Sequence, residues 1–105
     1  MKTASSNKYH VFFGNLANPI KIDIISVLKD KEMSVNELVK KLKIEQSNLS
    51  HALADLRECN LVTFRRKGKE RIYSLNTRTL VPILRLIDIH AKSYCKGNCA
   101  YCTRE

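Results

Sequence analysis

The sequence predicts a mainly α-helical chain with one small β-hairpin, and three observations support this fold class. Apolar residues recur with helical spacing through the first half of the chain and again near its end. Between these regions the apolar period changes to two, in short runs at residues 61–65 and 71–75. Residues 66–70 join the two runs and contain a central glycine, which is typical of a hairpin turn. We therefore expect about five helices and a two-stranded hairpin in a single domain, residues 1–105.

The first two predicted helices are separated by Asn18 and Pro19. Asparagine is a good helix cap, and proline is favoured at the first helical position, so the second helix is expected to begin here. Each helix has one apolar face. These faces consist of Tyr9, Phe12, Phe13 and Leu16 in the first helix and of Ile20, Ile24, Ile25 and Leu28 in the second.

The next two helices follow each other after a short break. Ser34 and Glu37 have the spacing of a capping box, which begins the third helix. A fourth helix begins near Gln46, and its inward positions are Leu49, Leu53 and Leu56. Its opposite face carries Gln46, Ser47, Asn48, Ser50 and His51.

The charge of the chain predicts a polyanionic partner. There are 19 Lys and Arg against 10 Asp and Glu, which gives a formal charge of +9. No apolar run approaches the roughly 18–20 residues of a membrane span, so no membrane partner is expected. The first residues, 1–6, are interpreted as a flexible tail and lack the apolar core of a signal peptide. We therefore expect a cytoplasmic location.

Two helices joined by a tight break and followed by a basic hairpin have the order of a winged helix-turn-helix. Short polar side chains early in the fourth helix can enter the major groove of DNA and contact base edges. Cations of the hairpin can neutralise phosphates or enter the minor groove. RNA is a weaker match, because the chain has no Trp and few aromatic residues for stacking. The predicted DNA-binding residues are Gln46, Ser47, Asn48, Ser50, His51, Lys40, Lys41, Arg66, Lys67 and Lys69.

A last helix, from about residue 79, is more apolar than one packing face requires. Its apolar residues are Leu80, Val81, Ile83, Leu84, Leu86, Ile87 and Ile89. Part of this helix is therefore expected to bury against a second subunit.

Taken together, these motifs resemble the ArsR/SmtB family of winged helix-turn-helix, metal-responsive transcriptional repressors. The resemblance covers roughly residues 9–90 and is carried by segments 16–21 (LANPIK), 34–38 (SVNEL), 46–51 (QSNLSH), 61–62 (LV), 65–69 (RRKGK) and 73–75 (YSL). It implies a homodimer built on the first and last helices. It also implies binding of double-stranded DNA at an imperfect palindrome, release by an effector, and no enzyme activity.

The effector sites of the family do not carry over to this chain. The arsenic-type cysteines fall on Ser34 and Asn36, and three of the four zinc-type positions fall on Thr77, Thr79 and Ser93. The fourth zinc-type position falls on His90, whose imidazole could coordinate a metal ion. Gln46 matches a glutamine that, in zinc-sensing relatives, links the metal-binding helix to the DNA-recognition helix. Because the zinc site is missing here, we interpret Gln46 instead as a residue at the start of the recognition helix, near DNA.

Three cysteines in the C-terminal tail, residues 95–105, form the remaining candidate sensor. Cys95, Cys99 and Cys102 are close enough in sequence for their thiolates to bind one soft ion. Arsenite or antimonite suits three thiolates, whereas zinc or cadmium requires a fourth ligand, such as His90 or Cys59. An iron–sulfur cluster and a disulfide switch are further alternatives. A tail whose cysteines bind nothing is the remaining alternative, so no cofactor is assigned.

Overall fold

The computed structural model describes residues 7–94, and the order of their elements agrees with the predicted fold class. The helices are α1 (Lys8–Ala17), α2 (Pro19–Asp30), α3 (Val35–Leu42), α4 (Gln46–Glu58) and α5 (Leu80–Tyr94). The strands are β1 (Met33–Ser34), β2 (Val62–Lys67) and β3 (Glu70–Leu75). The predicted tails, residues 1–6 and 95–105, lie outside the described residues.

Asparagine side chains cap the N-termini of the first two helices. Asn7 Oδ1 accepts a hydrogen bond from the backbone N–H of Tyr9 at 2.9 Å, and Asn18 Oδ1 accepts one from Lys21 at 3.0 Å. The predicted cap at Asn18 and the proline at the start of α2 are confirmed. Among the described residues no single helix is long and apolar enough to cross a membrane. Only α1 and α2 together have that length and composition, as a pair bent by 79°.

Helices α3 and α4 form a helix-turn-helix unit. The predicted capping box is present: the backbone N–H of Glu37 donates to Ser34 Oγ (3.1 Å), and the N–H of Ser34 donates to Glu37 Oε1 (2.8 Å). After α3 the chain turns at Lys43, which has a left-handed backbone with φ 56°. This turn brings the chain within a few residues to Gln46, where α4 begins.

The β-structure is a three-stranded antiparallel sheet, with the strand order β1-β3-β2. The predicted hairpin is present, but the two-stranded prediction was incomplete, because Met33 pairs with Tyr73 and Ser34 with Ile72. A two-residue strand is too short to show a period of two in the sequence, which is why β1 was missed.

The hairpin itself (β2 and β3, called the wing below) is longer than predicted. Its strands pair from Val62 opposite Leu75 to Lys67 opposite Glu70, so Arg66 and Lys67 belong to β2 rather than to the turn. The loop contains only Gly68 and Lys69. Gly68 has a φ of 64°, a conformation that glycine adopts without a steric penalty, at the position where type II′ turns place it.

The buried core is formed by α2, α3, α4, the sheet and the start of α5. Its fully buried side chains are Ile24, Ile25, Leu38, Leu49, Leu53, Leu56 and Leu80. The predicted inward positions of α4 are thus confirmed. This packing fixes which side of α4 faces outward.

Asn76 joins the end of α4 to the start of α5. Helix α4 ends in a Schellman motif, in which Asn60 has a φ of 57° and the N–H of Leu61 donates to the carbonyl of Leu56 at 2.9 Å. Asn76 Nδ2 donates to the carbonyl of Asn60 at 2.8 Å. The N–H of Leu80, the first residue of α5, donates to the carbonyl of Asn76 at 3.1 Å.

Helices α1 and α5 leave large apolar side chains exposed. In α1, Phe12 and Leu16 pack on the core, whereas Tyr9 and Phe13 are 65% and 57% exposed. In α5 only Leu80 is fully buried. The exposed apolar residues of α5 are Leu86, Ile87, Ile89 and Tyr94. Each of these helices therefore carries exposed apolar side chains, which suits the subunit contact that was expected for α5 from its residues and for α1 from the resemblance.

Candidate nucleic-acid interface

The outward face of α4 is shallow and carries mainly polar side chains. Leu49, Leu53 and Leu56 point into the core, so the opposite side of the helix faces solvent. A shallow surface depression of about 620 Å³ lies along this side, lined by Gln46, Ser47, Ser50, His51 and Ala54. The predicted base-contacting side chains other than Asn48 therefore share one accessible surface.

A deeper cleft, called the helix–wing cleft below, separates α4 from the wing. Its volume is about 500 Å³. From α4 it is lined by Gln46, Ser50, Leu53, Ala54 and Arg57, and from the wing by Arg66, Lys69, Glu70, Arg71 and Tyr73, with Ser34, Val35 and Asn36 at its α3 end. The cleft thus brings together predicted DNA-binding residues of the helix and of the wing that lie far apart in the sequence.

The other face of the wing borders α3. A cleft of about 340 Å³ lies between them, and its lining includes Lys40 of α3 and Lys67 of β2. Glu37 and Glu70 line the same cleft. Two predicted phosphate-contacting lysines therefore lie near each other, beside acidic side chains.

Two predicted residues lie outside these three clefts. Asn48 is exposed on the flank of α4 that also carries Asp55, one heptad later, and its Nδ2 is 3.5 Å from Glu45 Oε1. Lys41 is exposed on α3.

Sequence reasoning missed two cleft residues, Asn36 and Arg57, and included Arg71 only as one of the hairpin cations that can neutralise phosphates. Arg57 lies seven residues after Ser50 and thus on the same face of α4, which is a signal that the helical period could have given. Arg71 belongs to the basic hairpin, and its cleft-facing side follows from its position opposite Arg66.

The cations of the wing are only partly neutralised within the chain. Among residues 7–94, Arg65 is the one wing cation in an ion pair, with Arg65 Nη2 2.7 Å from Glu32 Oε2. Lys67 is directly opposite Glu70, but Arg66 is directly opposite Arg71. Like charges directly opposite on paired strands repel each other, so the cleft side of the wing favours an anionic partner.

The capping box has an electrostatic consequence at the start of α3. The backbone N–H of Ser34 donates to the carboxylate of Glu37 and holds the pKa of that group below its ordinary value, with Lys31 and Lys67 acting in the same direction. Glu37 is therefore a fixed negative charge at the positive end of the α3 dipole.

Helix α4 is held to the first two helices by a polar network. Lys21 Nζ contacts Asp55 Oδ2 of α4 at 3.1 Å and donates to Asn15 Oδ1 at 3.1 Å. Asn15 is buried, and its Nδ2 donates to the carbonyl of Val11 and to Cys59 Sγ. This network fixes the C-terminal half of α4 relative to α1 and α2.

The predicted sensor cysteines Cys95, Cys99 and Cys102 lie outside the described residues. Within residues 7–94, no group of three or more His, Cys, Asp or Glu is placed to hold a metal ion. The two predicted additional ligands lie in the described part. His90 stacks on Tyr94, with ring centroids 5.2 Å apart, and Cys59 is exposed beside Asn15.

Comparison with known proteins agrees with this architecture. The profile of the family described as "Bacterial regulatory protein, arsR family" matches residues 18–63, from the cap of α2 into β2. The chain is 33% identical over 94 residues to the transcriptional activator HlyU of Vibrio cholerae, covering 90% of this chain and 84% of HlyU. The chain belongs to the ArsR family. A solved structure of the same HlyU superposes with a TM-score of 0.71 and covers 90% of this chain and 99% of that one.

Two further comparisons support the class of protein and the fold, respectively. The chain is 34% identical over 79 residues to an SmtB homologue of Synechocystis named as a transcriptional repressor, covering 75% of this chain and 60% of that protein. The homodimeric winged helix-turn-helix DNA-binding domain of Mb0332 from Mycobacterium bovis has 20% identity and a TM-score of 0.77, covering 96% of this chain and 94% of that one. The winged helix-turn-helix fold is therefore confirmed, and the ArsR-family relatives are transcriptional regulators.

Proposed function

We propose that this chain is a homodimeric, sequence-specific DNA-binding repressor of transcription that acts in the cytoplasm. The observation that carries the proposal is the helix–wing cleft, where Gln46 and Ser50 of α4 face Arg66 and Lys69 of the wing. Polar side chains beside cations in this order suit a duplex whose base edges and phosphates are contacted together.

Within this proposal the two sides of the interface have different roles. Ser47, Ser50 and Asn48 contact base edges in the major groove, and asparagine suits adenine. Gln46 and His51 flank them at the start of α4. The remaining cations, Lys40, Lys41, Arg66, Lys67 and Lys69, bind phosphates or enter the minor groove.

The exposed apolar residues of α1 and α5 support a two-fold dimer. Such a dimer presents two copies of α4 to successive major grooves about 34 Å apart, which matches an imperfect palindrome. The operator is expected to consist of two inverted half-sites.

Selection of duplexes from a random pool, followed by binding titrations, tests the function. Ser47→Ala and Asn48→Ala should reduce the preference for the selected duplex over a scrambled one, because they remove base contacts. Lys67→Gln and Lys69→Gln should weaken binding to both duplexes and make the salt dependence less steep. Selection that enriches no sequence would contradict specific binding, and unchanged preference in the α4 variants would assign base recognition to another element.

We further propose that Cys95, Cys99 and Cys102 release the protein from DNA when they bind a thiophilic metal or metalloid or are oxidised. An effector that prefers the DNA-free dimer must lower DNA affinity by the same coupling energy. Titration of the complex with arsenite, zinc, cadmium and oxidant tests this proposal, with the triple Cys→Ser variant as control. Iron-dependent absorbance of anaerobically purified protein tests the iron–sulfur alternative. Unchanged affinity with every effector would favour a regulator without a small effector.

Activation is the second candidate for the direction of regulation, because HlyU, at 33% identity, is named as an activator. Transcription in vitro from a promoter that carries the selected duplex distinguishes the two. Less transcript with added protein supports repression, and more transcript supports activation.

A further inference from the structure

We propose that Arg57 and Arg71, called the arginine pair, bind one phosphodiester group of the DNA backbone in the helix–wing cleft. Arg57 was not predicted from the sequence, and Arg71 was expected only as one of the hairpin cations, with no defined partner. The inference rests on the proposed DNA-binding function and adds a fixed anion-binding position to it.

The arginine pair is held by one aromatic ring. The Cζ atoms of Arg57 and Arg71 lie over the ring of Phe64, 4.5 Å and 4.9 Å from its centroid. Phe64 packs on the core, and its centroid is 5.3 Å from that of Tyr73, which restrains the ring. Because the three residues come from α4, β3 and β2, the contact also fixes the wing against α4.

The charges of the arginine pair are available to a ligand. Both side chains are exposed, and neither takes part in an ion pair with another residue of the described segment 7–94. Arg71 is directly opposite Arg66 on the paired strands. The cleft contains four cations, the arginine pair with Arg66 and Lys69, but only one acid, Glu70. Binding an anion would relieve the repulsion between these cations.

A phosphodiester is a suitable ligand for the arginine pair, because it is an anion with two non-bridging oxygens. A guanidinium presents a planar fork of N–H groups that matches two phosphate oxygens. Contact with the ring of Phe64 limits the motion of each guanidinium, so less conformational entropy is lost on binding. In the proposed complex the base-reading face of α4 and the wing lie on either side of the cleft, and the DNA backbone crosses between them.

Binding titrations with the full-length protein over a range of salt concentrations test this inference. The probes are the selected duplex and a scrambled duplex of equal length. We expect Arg57→Gln and Arg71→Gln to lower affinity for both duplexes by about tenfold each. Because the pair binds one phosphate, the slope of log affinity against log salt should become less negative by at most about 0.9 in either variant.

Three variants separate charge from geometry. Arg57→Lys should keep the salt slope but bind more weakly, since an ammonium cannot bind two oxygens as a fork. Phe64→Leu should also keep the salt slope and bind roughly threefold more weakly. Both positive charges remain, but the aromatic ring that positions the two guanidinium groups is lost. Phe64→Tyr retains the ring and should bind like the wild type, and thermal unfolding verifies that each variant is folded.

Arg85→Gln is the matched control, since it removes one exposed positive charge from α5, outside the cleft. Variants of the arginine pair that behave like Arg85→Gln would overturn the inference, as would a weakening confined to the selected duplex, which would indicate base contact. If Lys69→Gln still weakened binding in that case, the proposed function would stand. Failure of the wild-type protein to bind either duplex would overturn both.

Discussion

Asn15 is a buried asparagine whose side chain is satisfied by three partners. Its Nδ2 donates to the carbonyl of Val11 and to Cys59 Sγ, and its Oδ1 accepts from Lys21. The side chain of Lys21 is only 17% exposed, and its ammonium group contacts Asn15 Oδ1 and Asp55 Oδ2. A buried polar group of this kind stabilises the fold only while its partners remain.

Replacing Asn15 therefore has a defined expected effect. Asn15→Ala should lower the free energy of unfolding by about 1–3 kcal/mol, because Lys21 loses an acceptor and a small cavity forms. Urea denaturation measures the change. Asn48→Ala, an exposed asparagine, is the control and should stay within about 0.5 kcal/mol of the wild type. Equal effects in the two variants would contradict a structural role for Asn15.

The carboxylate of Glu37 predicts a pH dependence. Its folded-state pKa lies below the ordinary value of 4.5, so its ionised form stabilises the fold above that pH. This contribution is lost as the pH falls through the lowered pKa. Wild type should therefore exceed Glu37→Gln in stability at neutral pH, and the difference should decrease below about pH 4. Urea midpoints measured from pH 7 to pH 3 test this, and a difference that is constant with pH would refute it.

At the scale of elements, the two glycines among residues 7–94 differ in how well their positions tolerate a side chain. Gly68 forms the wing turn with a φ of 64°, whereas Gly14 lies within α1, where an added Cβ would meet nothing within 4 Å. A left-handed conformation disfavours any residue with a Cβ, but a helix favours alanine over glycine.

These glycines give a matched pair of substitutions. Gly68→Ala should lower the free energy of unfolding by about 1 kcal/mol, and Gly14→Ala should raise it by about 0.5–1 kcal/mol. Thermal and urea unfolding of both variants provide the measurement. A stabilising Gly68→Ala would mean that the turn does not require the left-handed conformation.

Much of the element order could be predicted because local chemistry determines it. Asn18 with Pro19, the capping box from Ser34 to Glu37, and the glycine-centred hairpin are all visible in a few consecutive residues. Strand β1 could not be predicted, because two residues show no periodicity and its pairing depends on distant Tyr73. The identities of Gln46 and Ser50 as surface residues of α4 followed from helical spacing, whereas their place opposite the wing depends on tertiary packing.

At the scale of the whole molecule, α1 and α5 remain partly uncovered. Leu86 and Ile89 of α5 are 65% and 54% exposed, and Phe13 of α1 is 57% exposed. Exposed apolar patches mark sites of contact with other molecules, and a second subunit is the partner proposed here. The same surface accounts for the apolar excess of the last helix in the sequence.

Leu86→Glu tests the proposed dimer. A buried, unpaired carboxylate in an apolar interface is strongly unfavourable, so the variant should be monomeric at concentrations where the wild type is a dimer. Sedimentation equilibrium measures the oligomeric state. The affinity for a palindromic duplex should fall when the dimer is lost. Arg85→Gln changes the charge by the same amount on the same helix and should remain a dimer. A dimeric Leu86→Glu would place the contact elsewhere.

The bonds of Asn76 have a consequence for the geometry of DNA recognition. One side chain and its backbone connect the last turn of α4, through Asn60, to the first residue of α5. In the proposed dimer, this junction sets the distance between the two reading helices, because it couples each of them to the helix that forms the subunit contact. One residue inserted after Asn76 would change the preferred number of base pairs between half-sites while leaving the base preference within each half-site unaltered.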